Sequence, residues 1–174
     1  MGRELKQASI HVVTGQSLVV PLIVEGLPPA IHALGQEWQR KREFHLTAVA
    51  ARVIDELPTD VIDVWDCVRS VASGRYLGPV RVRAEVRRAT HPDHLELQTL
   101  IVMADCPGLT VLYADLSRVL DAHLTPPPAH VTLYSTDVDA GIGITNDAEL
   151  AARAPPLSDG EQREVRRAMS FPPD

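Results

Sequence analysis

Six short runs of β-branched or alternating apolar residues, broken by two firm helical stripes, set the frame for this chain. The runs are 10–14, 18–24, 44–51, 80–88, 95–103 and 129–135. Turn residues bound most of them, which is how strands read in sequence. Gly15-Gln16 between the first two predicts a hairpin, and Pro21 predicts a sheet edge or a bulge. The first helical stripe spans Thr59 to Ser73, where Val61, Val64, Trp65, Val68 and Val71 recur at helical spacing. Asp60 and Asp63 suit its N-terminal dipole and Gly74 ends it. The second begins at Asp105 and Pro107, aligns Leu109, Leu112, Leu116, Val119, Leu120 and His123, and stops at Pro126.

Weaker signals fill the gaps. Pro28-Pro29 opens a predicted helix with Ile31, Leu34 and Trp38 on one face. Ile142 to Thr145 reads as a short strand and Asn146 to Arg153 as a two-turn helix. Ser158 and Glu161 resemble a capping box, yet the helix after them has few apolar positions and is marginal alone. The expectation is one domain over 1–154 and a C-terminal tail over 155–174 that frays or docks on a partner. The element order predicts an α+β fold with a largely antiparallel sheet.

Composition narrows the function. The 174 residues carry 23 acidic and 17 basic side chains, a formal net charge of −6. An extended nucleic-acid clamp would be basic, and 4% aromatics do not build a stacking platform for single strands. A small phosphorylated ligand or an RNA end is compatible. The two cysteines, Cys67 and Cys106, make no metal signature or disulfide framework. Met1 to Lys6 lacks an apolar signal core, and the longest apolar run, Leu18 to Val24, is too short to span a bilayer. The expectation is a cytoplasmic protein without membrane partners; oligomeric state is silent in the sequence.

Two pentapeptides carry the chemistry. Phe44-His45-Leu46-Thr47-Ala48 and Ala129-His130-Val131-Thr132-Leu133 both read apolar-His-apolar-Thr-apolar, and both fall in predicted strands. Residues i and i+2 of a strand share a face. His45 therefore lies with Thr47, and His130 with Thr132, while their neighbours face the core. Each motif alone reads as a half-buried strand with a hydrogen-bonded histidine; the pair favours a site. Cleaving a phosphodiester needs one group to take a proton and another to give one, and two histidines can hold those states near neutral pH. Threonine hydroxyls can donate to phosphoryl oxygens. No metal or other cofactor is needed.

The tetrapeptides His45-Leu46-Thr47-Ala48 and His130-Val131-Thr132-Leu133 resemble the paired signature of the 2H phosphoesterase superfamily, which includes the RNA 2',3'-cyclic phosphodiesterases also described as 2'-5' RNA ligases. The resemblance implies a bilobal, pseudo-twofold α+β fold with flanking helices around a central cleft. It implies His45 and His130 as catalytic acid and base, in an order the sequence leaves open, and Thr47 and Thr132 as phosphate ligands. The implied activity is metal-independent hydrolysis of a 2',3'-cyclic phosphate on a nucleotide or RNA end. Where RNA ligase-like members often carry an arginine after the second motif, this chain has Tyr134-Ser135. Two other readings stand beside it: a non-catalytic module binding nucleotides or RNA ends on the same fold, and an unrelated α+β interaction protein with accidental motifs.

Other residues are weaker candidates. Tyr134, at i+4 from His130, is the candidate additional substrate contact or else an ordinary strand tyrosine. Arg81, Arg83 and Arg87 read as a solvated strand face paired to Glu96 and Gln98, ahead of a cleft lining. Arg42 precedes the first motif as a candidate phosphate contact. His91-Pro92-Asp93-His94 lacks a third ligand and reads as a turn. His123 reads as a core-edge residue, His11 and His32 join no constellation, and Gly141-Ile142-Gly143 is a loop signal and not a nucleotide fingerprint.

Overall fold

The computed structural model describes residues 3–7, 10–13, 17–57, 63–139 and 141–170. The predicted turn at Gly15-Gln16 and the predicted helix start from Thr59 to Ile62 lie outside them. In chain order the strands are β1 (Arg3–Gln7), β2 (His11–Val13), β3 (Ser17–Ile23), β4 (Ala30–Ala33), β5 (Gln36–Arg40) and β6 (Phe44–Ala50). After helices α1 (Ala51–Asp55) and α2 (Val64–Ala72) come β7 (Val80–Thr90), β8 (Gln98–Asp105), α3 (Gly108–Val119) and β9 (His130–Ser135). Helices α4 (Asp147–Arg153) and α5 (Asp159–Ala168) follow.

Every strand pair is antiparallel, and six strands close on themselves. β1 pairs with β3, β3 with β6, β6 with β9, β9 with β8, β8 with β7, and β7 again with β1. The result is an α+β protein built on a closed antiparallel barrel with flanking helices. Closure removes the sheet edges that an open sheet would leave unpaired. β2 adds to β3, and the β4–β5 hairpin attaches to β9 through Gln39 and Arg40. Pro21 is not at an edge. It sits in β3 opposite His45 of β6, between the residues paired with β2 and those paired with β1.

Alternation explains the barrel interior. Leu18, Val20 and Leu22 of β3, Leu46 and Ala48 of β6, Leu100, Val102 and Ala104 of β8, and Val131 of β9 join one apolar cluster. Val68 and Ala72 of α2 and Leu109, Leu112, Tyr113 and Leu116 of α3 complete it. Val119, assigned to that stripe by spacing, is exposed, as is His123. A smaller cluster lies on the other face of β8. There Ile101 and Met103 meet Ala89, Ile142, Ile144, Leu150 and Ala154. This second cluster holds the segment 141–154 against the barrel wall.

Three expectations change. The helix predicted after Pro28-Pro29 is the β4–β5 hairpin. Ile31 lies directly opposite Trp38, and Leu34 and Gly35 both take positive φ in a tight two-residue turn. The spacing of 31, 34 and 38 imitates a helix, whereas burial follows Ile31, Ala33 and Trp38. Ile142 to Thr145 runs without ladder partners, so it is no strand. Residues 155–170 are neither frayed nor a separate tail. Ser158 and Glu161 form the capping box of α5, and Leu157, Val165 and Met169 enter the main core. Glu164 accepts the Leu34 N–H at 2.7 Å, and Gln162 accepts the Val86 N–H at 2.9 Å. Those partners lie far away in sequence, so local apolar content understates this helix. Among the described residues, no helix is long and apolar enough to cross a membrane.

Candidate active site

β6 and β9 run side by side with Leu46 opposite Val131, both fully buried in the barrel. Antiparallel pairing then puts His45 across from Thr132 and Thr47 across from His130. A local two-fold axis through the Leu46–Val131 pair exchanges the two motifs. Because residues 46 and 131 point inward, the two histidines and two threonines share the outer face. His45 and His130 stand diagonally across the pair, a relation that spans about 7–8 Å between backbones and brings long side chains within mutual reach.

The opposite wall is the segment 141–145. Its isoleucines bury into the smaller cluster, and polar contacts pin the rest. Arg153 donates to the Gly143 carbonyl at 2.9 Å. The backbone N–H and the hydroxyl of Thr145 donate to Glu149 at 2.8 and 3.0 Å, and Arg52 donates to the Thr145 hydroxyl at 2.7 Å and to Glu149. Partial burial opposes the Glu149 charge, but these hydrogen bonds hold its carboxyl below the usual range. Between the walls lies a cleft of about 440 Å³ into which His45, Thr47, His130 and Thr132 all open. Ser17, whose hydroxyl accepts the Ala51 N–H at 3.2 Å as β6 gives way to α1, lines both this cleft and an adjoining groove.

The two imidazoles are electrostatically distinct. His130 Nδ1 lies 2.7 Å from the Pro128 carbonyl. A carbonyl only accepts, so Nδ1 carries the proton and Nε2 keeps a lone pair. Burial holds the His130 pKa below the ordinary imidazole value; the Pro128 carbonyl opposes this, and a charge on His45 adds to it. His45 is more open, yet partial burial and the Lys41 ammonium lower its pKa too, against a smaller pull from Glu43. Among the described residues neither the His45 ring nor the hydroxyls of Thr47 and Thr132 have a protein hydrogen-bond partner. Besides the two histidines, no titratable side chain lines the cleft among the described residues, and Arg52, Asp93 and Arg153 line an adjoining groove that shares Ser17, Ala50, Gly143 and Thr145 with it.

Tyr134 does not join this group. It is fully buried, its hydroxyl donates to the Pro28 carbonyl at 3.0 Å, and burial pushes its phenol up to about 12. Pairing moves from Thr132–Ile101 to Tyr134–Leu100, so Leu133 is an extra residue in β9. That bulge turns Tyr134 inward beside Leu100, out of phase with His130. Arg42 is exposed beside Asp139 at 3.7 Å, away from the cleft lining. Arg83 pairs with Asp105, and Arg87 with Glu85 at 2.6 Å, in place of the expected Glu96 and Gln98. His91 and His94 sit in the β7–β8 turn, and no group of three metal-ligating side chains exists among the described residues.

Sequence reasoning passed over Lys41 and the 141–145 wall. Lys41 donates to the Val138 carbonyl and lies close enough to act on His45. The wall's only signal was the alternation of glycine with isoleucine in Gly141-Ile142-Gly143-Ile144. Chemically, the cleft offers a proton acceptor, a second imidazole to donate, and two unengaged hydroxyls on one side of a small pocket. No known family model matches the chain, and comparisons with curated proteins and with solved structures return no match.

Proposed function

We propose that this cleft is a two-histidine phosphodiesterase site, acting without a metal on the 2',3'-cyclic phosphate of a nucleotide or RNA end. The observation that carries the reading is the Leu46–Val131 register, which brings both His-x-Thr motifs onto one face around a local dyad. In this reading the barrel is the two lobes of a 2H phosphoesterase, joined at β6 and β9 and related by the same dyad.

His130 is the base for ring opening. Its Nε2 is unprotonated, and the Pro128 carbonyl steadies the positive charge that forms when it takes a proton from water. The water oxygen bonds to phosphorus, and the bond from phosphorus to one ribose oxygen breaks. His45 gives its proton to that oxygen, leaving a phosphomonoester. Thr47 and Thr132 donate to the non-bridging oxygens as charge builds there. A proton on one ring lowers the pKa of the other, which keeps the two in opposite states.

Both rings have depressed pKa values. The base is thus active from below the usual imidazole range, and the acid is lost on the same side. The kcat/KM profile of the free enzyme is expected to be a bell with its maximum below about pH 6.5. The decisive assay offers 2',3'-cyclic mononucleotides, cyclic-phosphate-ended oligonucleotides and 2'-5' linked oligoadenylates in EDTA. Turnover that His45→Ala and His130→Ala both abolish is expected. Full turnover in both variants refutes the site, and saturable binding with no turnover by the wild type marks a binding module instead.

A further inference from the structure

Most glycines in the described chain have a reason within the fold. Gly26, Gly35, Gly74 and Gly78 take positive φ, which side-chain-bearing residues rarely adopt. A Cβ on Gly108 would come within 2.0 Å of the Leu77 carbonyl oxygen. Gly141, Gly143 and Gly160 of α5 have neither reason, and of these three only Gly141 and Gly143 line the cleft. Their φ angles lie outside the left-handed region, and a Cβ built on either meets nothing within 4 Å. Both line the cleft opposite the His-x-Thr face. They alternate with Ile142 and Ile144, which are buried in the smaller cluster. Their own empty Cβ positions therefore fall on the open side. The strap from Arg153 to the Gly143 carbonyl and the Thr145–Glu149–Arg52 contacts fix this bare surface in place.

Resting on the phosphodiesterase reading, we propose that Gly141 and Gly143 form the nucleoside subsite. The sugar and one flat base lie against their uncovered peptide planes while the phosphate sits between His45 and His130. Glycine allows a ligand to approach the backbone closely. Apart from the two imidazoles, which take the phosphate, no aromatic side chain lines the cleft among the described residues, and Arg52 and Arg153 line only the adjoining groove, so the glycine peptide planes are the flat surface left for a base. The volume of about 440 Å³ is in the range of small-ligand pockets and suits a single nucleotide unit.

Gly143→Ala and Gly143→Val test this, because a Cβ at 143 meets nothing within 4 Å and the backbone there is not left-handed. Both variants are expected to melt with the wild type. In thermal-shift titrations, inorganic phosphate should stabilise wild type and variants equally. Affinity for 2'- and 3'-nucleoside monophosphates should fall about tenfold with alanine and further with valine. KM for 2',3'-cyclic mononucleotides should rise in step while kcat changes little, since the contact is to the non-reacting part of the substrate. Unchanged nucleotide affinity in Gly143→Val, or wild-type affinity for nucleotides no better than for phosphate, overturns the subsite. A wild type that binds nucleotides through this wall but never turns over cyclic phosphates supports the subsite and overturns the catalytic reading.

Discussion

The two walls of the cleft are held by different physics. The motif wall is part of a barrel ladder, where β6 and β9 are fixed by backbone pairing and by the buried Leu46 and Val131. The facing wall has no ladder. Segment 141–145 stays in place through two buried isoleucines, through Glu149 and Arg153 of α4, which hold its backbone, and through Arg52 of α1, which donates to the Thr145 hydroxyl. Catalytic groups need fixed mutual geometry, and a rigid scaffold supplies it. A wall that only shapes the space over a substrate can be strapped instead, and it is then tunable through residues remote from the chemistry.

That contrast predicts a ranking of effects. The largest belongs to the ladder wall: His45→Ala and His130→Ala should each lower kcat by at least about 100-fold, the range of positioned acid–base groups. Circular dichroism should show both folds intact. Thr47→Val and Thr132→Val should each cost at least about tenfold in kcat/KM, the lower end for a hydrogen bond to a charged group. If a threonine variant matched a histidine variant in loss, the hydroxyl would be doing more than binding phosphate.

The strapped wall should respond differently. Glu149→Ala releases Thr145 and Arg52 together. KM is expected to rise about threefold with kcat held, as for uniform loss of substrate binding. A kcat loss as deep as that of the histidines would abolish the distinction between the walls. Smallest of all is Tyr134→Phe. Removing its bond to Pro28 should cost about 1 kcal/mol in chemical denaturation. Steady-state kinetics should be unchanged, because Tyr134 faces the barrel and not the cleft.

The stability of the ladder wall should also depend on pH. The folded-state pKa of His130 lies below its unfolded value. The unfolded chain therefore binds more protons in the window between them, and stability is lost as pH falls through the folded value. His130→Asn, which cannot titrate, should flatten the acid side of the stability profile below about pH 6.5.

The same contrast governs what could be read in advance. His45 with Thr47 and His130 with Thr132 were legible because strand alternation is local, and a shared face needs only the period of two. Their mutual placement needed the register between β6 and β9, which no local pattern contains. Tyr134 was misplaced because the bulge at Leu133 shifts the phase without any signature in the residues. The β4–β5 hairpin was hidden by helix-like spacing, although Gly35 marked the turn. Helix α5 announced its start through Ser158 and Glu161 but not its burial, since Val165 and Met169 find their partners across the molecule. The 141–145 wall was least legible, as each of its anchors lies on another element.

The proposed chemistry requires His45 and His130 to share one cleft. Heteronuclear NMR titration of the two imidazoles, in the wild type and in His45→Ala, tests that most directly. Both rings should titrate below the ordinary imidazole range, His130 should show its proton on Nδ1 in the neutral form, and its pKa should move upward when His45 is removed. Ordinary pKa values for both, with His130 indifferent to the loss of His45, would contradict it.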